Sequence, residues 1–121
     1  MSLFDAADFE RFALSLAGVS LVDQWGSRVA KVGGKVFTLL RLTDPDLYSI
    51  VFKCTEDSFI VLTGMGSAKQ APYFAKGQWL CVPRTVDFSN EELEAYLYRS
   101  YQLVAARLTK KARHELGISL E

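Results

Sequence analysis

The sequence predicts one α+β domain of two layers, an antiparallel sheet with helices packed on one face. Three observations support this. Apolar residues recur at helical spacing near both ends of the chain, and a Gly-Gly pair joins two β-rich runs in the middle. The 121 residues are half hydrophobic, 12% aromatic and 23% charged, enough to bury a single core over residues 1–121 without disulfides or metal.

In chain order, Phe9, Phe12, Ala13 and Leu16 fall on one side of a helix spanning Phe4–Leu16, with Asp8, Glu10 and Arg11 between them and Gly18 as a stop. Val29–Val32 and Lys35–Leu42 flank Gly33-Gly34, whose freedom to adopt positive φ suits a tight hairpin. Asp44-Pro45-Asp46 forms the next turn, and Leu47–Lys53, rich in Tyr, Ile, Val and Phe, supplies a third strand of an antiparallel meander. Phe59–Thr63 in isolation reads as a strand. The preceding Thr55-Glu56-Asp57-Ser58 has a capping residue and first-turn acids, which favours a short helix. Gln78–Val82 makes a strand closed by Pro83, and a further short strand is expected over Thr85–Phe88. Ser89-Asn90-Glu91-Glu92 is a capping box opening the longest helix, whose buried face is Leu93, Tyr96, Leu97, Ser100, Tyr101, Val104 and Leu108.

Fourteen basic and fourteen acidic residues cancel, which argues against a polyanion binder driven by overall field. The distribution is uneven. No acid lies between Asp23 and Asp44, where Arg28, Lys31, Lys35 and Arg41 occur, nor between Asp57 and Asp87, where Lys69, Lys76 and Arg84 occur. Cys54 and Cys81 form no CxxC, and no basic, apolar leader or roughly 20-residue apolar run is present, so a cytoplasmic protein outside the membrane is expected.

Catalytic and metal signatures do not withstand scrutiny. Gly64-Met65-Gly66-Ser67-Ala68-Lys69 fails the spacing of a phosphate loop. His114 is the single histidine and sits among Lys110, Lys111, Arg113 and Glu115, as expected near a helix C-terminus. The acid pairs have local roles in a turn and a cap, and Cys81 reads as a small buried hydrophobe. A protein without enzymatic activity, metal or cofactor is therefore expected.

Several segments together resemble the MmcQ/YjbR family of small bacterial proteins: Trp25-Gly26, Gly34-Lys35-Val36-Phe37, Ala71-Pro72-Tyr73-Phe74-Ala75-Lys76 leading to Trp79, and Ser100-Tyr101-Gln102-Leu103-Val104 through Leu108. The resemblance implies helix, three strands, helix, two strands, helix, a layout shared with secretion-chaperone-like folds, and a DNA-binding "double wing" role. It carries no catalytic residues.

Two contact surfaces follow. Arg28, Lys31 and Lys35 around the hairpin, with Lys69 and Lys76 in the second basic segment, are the candidates for DNA phosphates. The long loop Gly64–Trp79 presents Tyr73, Phe74 and Trp79, a group suited either to a nucleotide base or to an aromatic-lined peptide groove. A structural role remains open for both. Lysines keep an edge hairpin soluble, and the aromatics could plug the open end of the sheet. The expected function is a non-enzymatic binding protein with DNA as the ligand the resemblance implies; the alternative is a protein-interaction or chaperone-like module holding a peptide through the aromatic loop. They differ in requirement: DNA needs one continuous basic surface, whereas a peptide needs an apolar groove.

Overall fold

The computed structural model describes residues 2–43 and 48–120. Its elements run α1 (Ala6–Leu14), β1 (Val19–Gln24), β2 (Ser27–Val32), β3 (Lys35–Arg41), β4 (Ser49–Lys53), α2 (Glu56–Gly64), β5 (Lys69–Gln70), β6 (Trp79–Pro83), α3 (Asn90–Ala105) and α4 (Lys110–Leu116). The predicted turn Asp44-Pro45-Asp46, together with Leu47, lies outside the described residues.

The strands form one antiparallel sheet in the order β1-β2-β3-β4-β6-β5. Helix residues Phe9, Ala13, Leu62, Leu93, Leu97 and Tyr101 share one core with Ala30, Val32, Phe37, Leu40, Ile50, Phe52, Leu80 and Val82. The helices thus cover one face, as the sequence predicts. On the opposite face a smaller cluster of Val29, Leu39, Val51 and Ala71 is covered by Phe74 and Trp79, with no helix over it.

A register shift at Ala30/Lys31 makes this two-sided burial possible. Strict alternation along β3 would send Phe37 and Leu40 to opposite faces. The bulge adds one residue, so both enter the helix-side core while Val36 and Leu39 face the other way. Ser100, fully buried on α3, joins helix to sheet at this point. Its Oγ donates to the Phe37 carbonyl at 2.5 Å and accepts from Lys53 N–H at 2.8 Å, bridging β3 and β4. Tyr101 next to it packs edge-on against Phe37 at 5.5 Å and donates its hydroxyl to the Ala17 carbonyl at 2.6 Å.

The capping box forms as expected. Ser89 Oγ accepts from Glu92 N–H, and Ser89 N–H donates to Glu92 Oε1, both at 3.1 Å. Thr55 caps α2 by accepting from Ser58 N–H, which settles the Phe59–Thr63 ambiguity in favour of helix. Gly33 and Gly34 take φ of 57° and 82° in the hairpin turn. A Cβ at Gly33 would also come within 2.7 Å of a terminal methyl of Leu108, which would have to shift, but it is the positive φ that calls for glycine there.

Four elements depart from expectation. Thr85–Phe88 is not a strand, because β6 already has β4 and β5 on its two sides; Phe88 instead stacks on Tyr96 at 5.5 Å. The strand that accompanies β6 after α2 is β5, two residues within the long loop. A fourth strand precedes α2, since Val19–Gln24 pairs with β2 as a sheet edge, and α4 adds a short capped helix beyond the long one.

Replacing Ser100 by Ala leaves the Phe37 carbonyl and the Lys53 N–H buried without their partner, and urea unfolding should record a loss of about 1–3 kcal/mol. A change below about 0.5 kcal/mol would mean that the bridge contributes little. Burial raises the Cys54 thiol from 9.0 to about 11. The unfolded chain then releases this proton first as the medium becomes alkaline. The thiol's contribution is therefore intact below pH 9 and is lost as pH rises through about 11. Cys54→Ala should flatten the fall of stability across that window relative to the unmutated protein, measured as melting temperature against pH.

Candidate binding groove

The helix-free face of the sheet carries two large aromatic side chains that the fold leaves in solvent. Trp25 is 73% exposed and Tyr73 completely so. Both are also the non-glycine residues with positive φ among those described, at 56° and 70°. An aromatic residue in the left-handed region costs about 1 kcal/mol or more, and such positions persist only where their surroundings enforce them.

Each is enforced by a turn. Trp25-Gly26 connects β1 and β2 as a two-residue hairpin turn with both φ values positive, a place where Asn-Gly is favoured. Tyr73 follows Pro72 in a turn whose third residue takes positive φ, a position favouring glycine or asparagine. The Tyr73 loop is held from beneath by Gln70. Its Nε2 donates to the carbonyls of Ala71, Phe74 and Ala75 at 2.9, 3.3 and 3.2 Å, and its Oε1 accepts from Gly77 N–H at 2.9 Å. Phe74 rests on Trp79 with ring centroids 4.7 Å apart, so Tyr73 stands on a packed base.

Between these turns lies a groove of about 310 Å³ walled by Trp25, Val36, Tyr73 and Phe74. A cavity of about 210 Å³ shares Trp25, Tyr73 and Phe74 as walls and adds Ser27, Leu39, Arg41 and Thr43. The groove is thus apolar at one end and polar at the other. A third hollow beside the Trp25 turn is lined in part by Gln24, whose Oε1 is shielded from solvent and has no hydrogen-bond partner.

Of the aromatic trio read from the sequence, Tyr73 and Phe74 line the groove, while Trp79 lies beneath Phe74 and packs against both sheet faces. The cationic residues do not converge. Arg28 points to the helix side and is held by Glu10 and Asp23, so it is not free to continue a phosphate track. Lys31 pairs with Val36 and Lys35 with Val32, adjacent positions that send the two lysines to opposite faces. Lys69 shares the outer face but lies on β5, four strands from β2 and therefore roughly 19 Å away. Lys76 lines a separate cavity with Cys54, Glu56, Gly77 and Gln78.

Cys81 is half-buried on the outer face rather than fully enclosed, and both cysteines are free thiols. His114 is exposed in the last turn of α4. Among the described residues no group of three or more His, Cys, Asp or Glu is placed to hold a metal, and no helix is long and apolar enough to cross a membrane.

Trp25, a wall of the groove, is legible in the sequence only as part of a family pattern; the signal available is an aromatic in the Asn position of a two-residue hairpin, which requires β1 to be seen first. Arg41 reads from the sequence as an extension of the hairpin's phosphate track with Arg28, and nothing there places it beside the aromatics.

Fold and groove define a small α+β domain that keeps one face of its sheet clear of helices and raises aromatic walls on it. The chain belongs to the YjbR family, whose model matches residues 14–103. It is similar to the crystal structure of a Deinococcus radiodurans protein with a DUF419 domain, at 23% identity and TM-score 0.83, covering 93% of this chain and 88% of that one. A Pseudomonas syringae protein of known structure is similar at 16% identity and TM-score 0.63, over 82% and 97% of the two chains. At these identities the likeness concerns the fold. No curated protein matches the chain.

Asparagine at position 25 removes both the strained aromatic and one wall of the groove. Trp25→Asn should raise unfolding stability by about 1 kcal/mol in thermal denaturation, because little burial is lost and the turn regains a favoured residue. A fall in stability would show that Trp25 packs usefully in the unliganded protein.

Proposed function

We propose that this protein is a non-enzymatic binding module that captures a protein segment in the groove between Trp25 and Tyr73. The observation that carries the reading is the full exposure of Tyr73 on a strained turn braced by Gln70 and Phe74. Isolated folding gives no reason to hold a large aromatic in this way, whereas a binding anchor needs a rigid ring in solvent. The apolar walls match a large side chain of the partner. Free Cys54 and Cys81 suit a reducing cytoplasm.

DNA, implied by the family resemblance, is a second reading with one observation in its favour. Lys31 and Arg41 lie on the same face as Trp25 and Tyr73, which would suit stacking on unpaired bases with weak phosphate contacts. Dispersal of Lys35, Lys69 and Lys76 and the pairing of Arg28 count against a duplex track.

Selection of displayed random dodecapeptides against the protein should enrich sequences with aromatic or large aliphatic residues. Tyr73→Ala should weaken the selected peptides by about thirtyfold with little dependence on salt. Fluorescence anisotropy with labelled single- and double-stranded DNA is the companion measurement. DNA binding that falls steeply with salt, without peptide enrichment, would overturn the peptide reading in favour of nucleic acid.

A further inference from the structure

The polar end of the groove contains a cation, Arg41, that has no counter-charge among the described residues. Arg41 emerges from β3 onto the outer face, opposite Ser27 of β2 and Ser49 of β4, and is half-buried. The cavity it lines holds Trp25, Ser27, Leu39, Thr43, Tyr73 and Phe74, with no carboxylate among them. The nearest acid on the adjoining hairpin, Asp23, is turned to the helix side and engaged by Arg28. Arg41 forms no ion pair among the described residues. A half-buried guanidinium is ordinarily paired, and its planar fork matches a carboxylate with two parallel hydrogen bonds.

Resting on the peptide reading above, we infer that the groove recognises the C-terminal residue of a partner chain, its terminal carboxylate placed next to a large apolar side chain. The side chain enters the apolar end between Trp25, Val36, Tyr73 and Phe74. The carboxylate meets Arg41, and the hydroxyls of Ser27 and Thr43 line the same cavity as further donors. The apolar part, about 310 Å³, has room for one aromatic side chain and its backbone rather than for a helix laid across the sheet. Burying an unpaired carboxylate is costly, so a groove whose open charge is cationic selects for the anion as well as the ring.

The test uses four acetylated pentapeptides titrated into the whole protein and followed by the Trp25 indole N–H signal in two-dimensional NMR. Gly-Ser-Gly-Ser-Phe is offered with a free C-terminus and as its amide. An amidated Gly-Ser-Phe-Asp-Gly supplies the carboxylate from a side chain, and an amidated Gly-Ser-Phe-Asn-Gly is its neutral control. The free terminus should bind at least about tenfold tighter than its amide. Arg41→Gln should erase that preference and Arg41→Lys should restore only part of it, while Tyr73→Ala should weaken every peptide. Preference for the Asp peptide over both the free terminus and the Asn control would overturn the C-terminal assignment and give the carboxylate to a side chain. Equal binding of free and amidated forms, with no gain from Asp, would overturn the carboxylate and leave the apolar groove standing. No binding by any of the four would overturn both.

Discussion

One buried hydroxyl joins the two layers. Ser100 is where α3 meets β3 and β4, and it supplies the hydrogen bonds that the bulged sheet cannot make internally at Phe37 and Lys53. A bulge leaves backbone groups out of register with the neighbouring strand, and under a helix water cannot satisfy them. Ser100 meets one donor and one acceptor with a single side chain. Phe37 can then stay in the core beside Tyr101, and Val36 and Leu39 become available to the opposite face.

The groove depends on that inversion. Val36 and Leu39 are part of its lining, and they face outward because Phe37 has been taken in as the extra residue. The helices use up one face of the sheet and leave the other to loops. The Ala71–Trp79 segment covers part of that second face with Phe74 and Trp79, while Tyr73 is lifted clear. Packing and presentation are thus divided between neighbouring residues of one loop: Phe74 goes down, Tyr73 goes up, and Gln70 holds the backbone that separates them.

Electrostatics on this face is local. With equal numbers of acids and bases the chain has no net field, and its cations are spread over two faces and several edges. Arg28 is neutralised at home by Glu10 and Asp23; Arg41 has no such partner among the described residues. Where overall charge does not steer, a single cation beside apolar walls, as proposed for Arg41, would favour specificity over reach.

Much of the fold was legible because its signals are short in range. The Ser89 capping box, the Gly33-Gly34 turn, the Thr55 cap and the apolar faces of α1 and α3 are written within a few residues each, and the structure realises them. β1 was missed because Val19–Gln24 is an edge strand with imperfect alternation, stabilised by its neighbour rather than by its own pattern. Thr85–Phe88 has strand-like composition, but β6, which it directly follows, is already paired on both sides. For the site, the sequence by itself determined that Tyr73, Phe74 and Trp79 cluster in a glycine- and proline-interrupted stretch after α2. Which aromatic is buried, which cation is unpaired, and that Trp25 stands opposite Tyr73 were decided only by tertiary structure, because these depend on register, on a bulge and on contacts between segments nearly fifty residues apart.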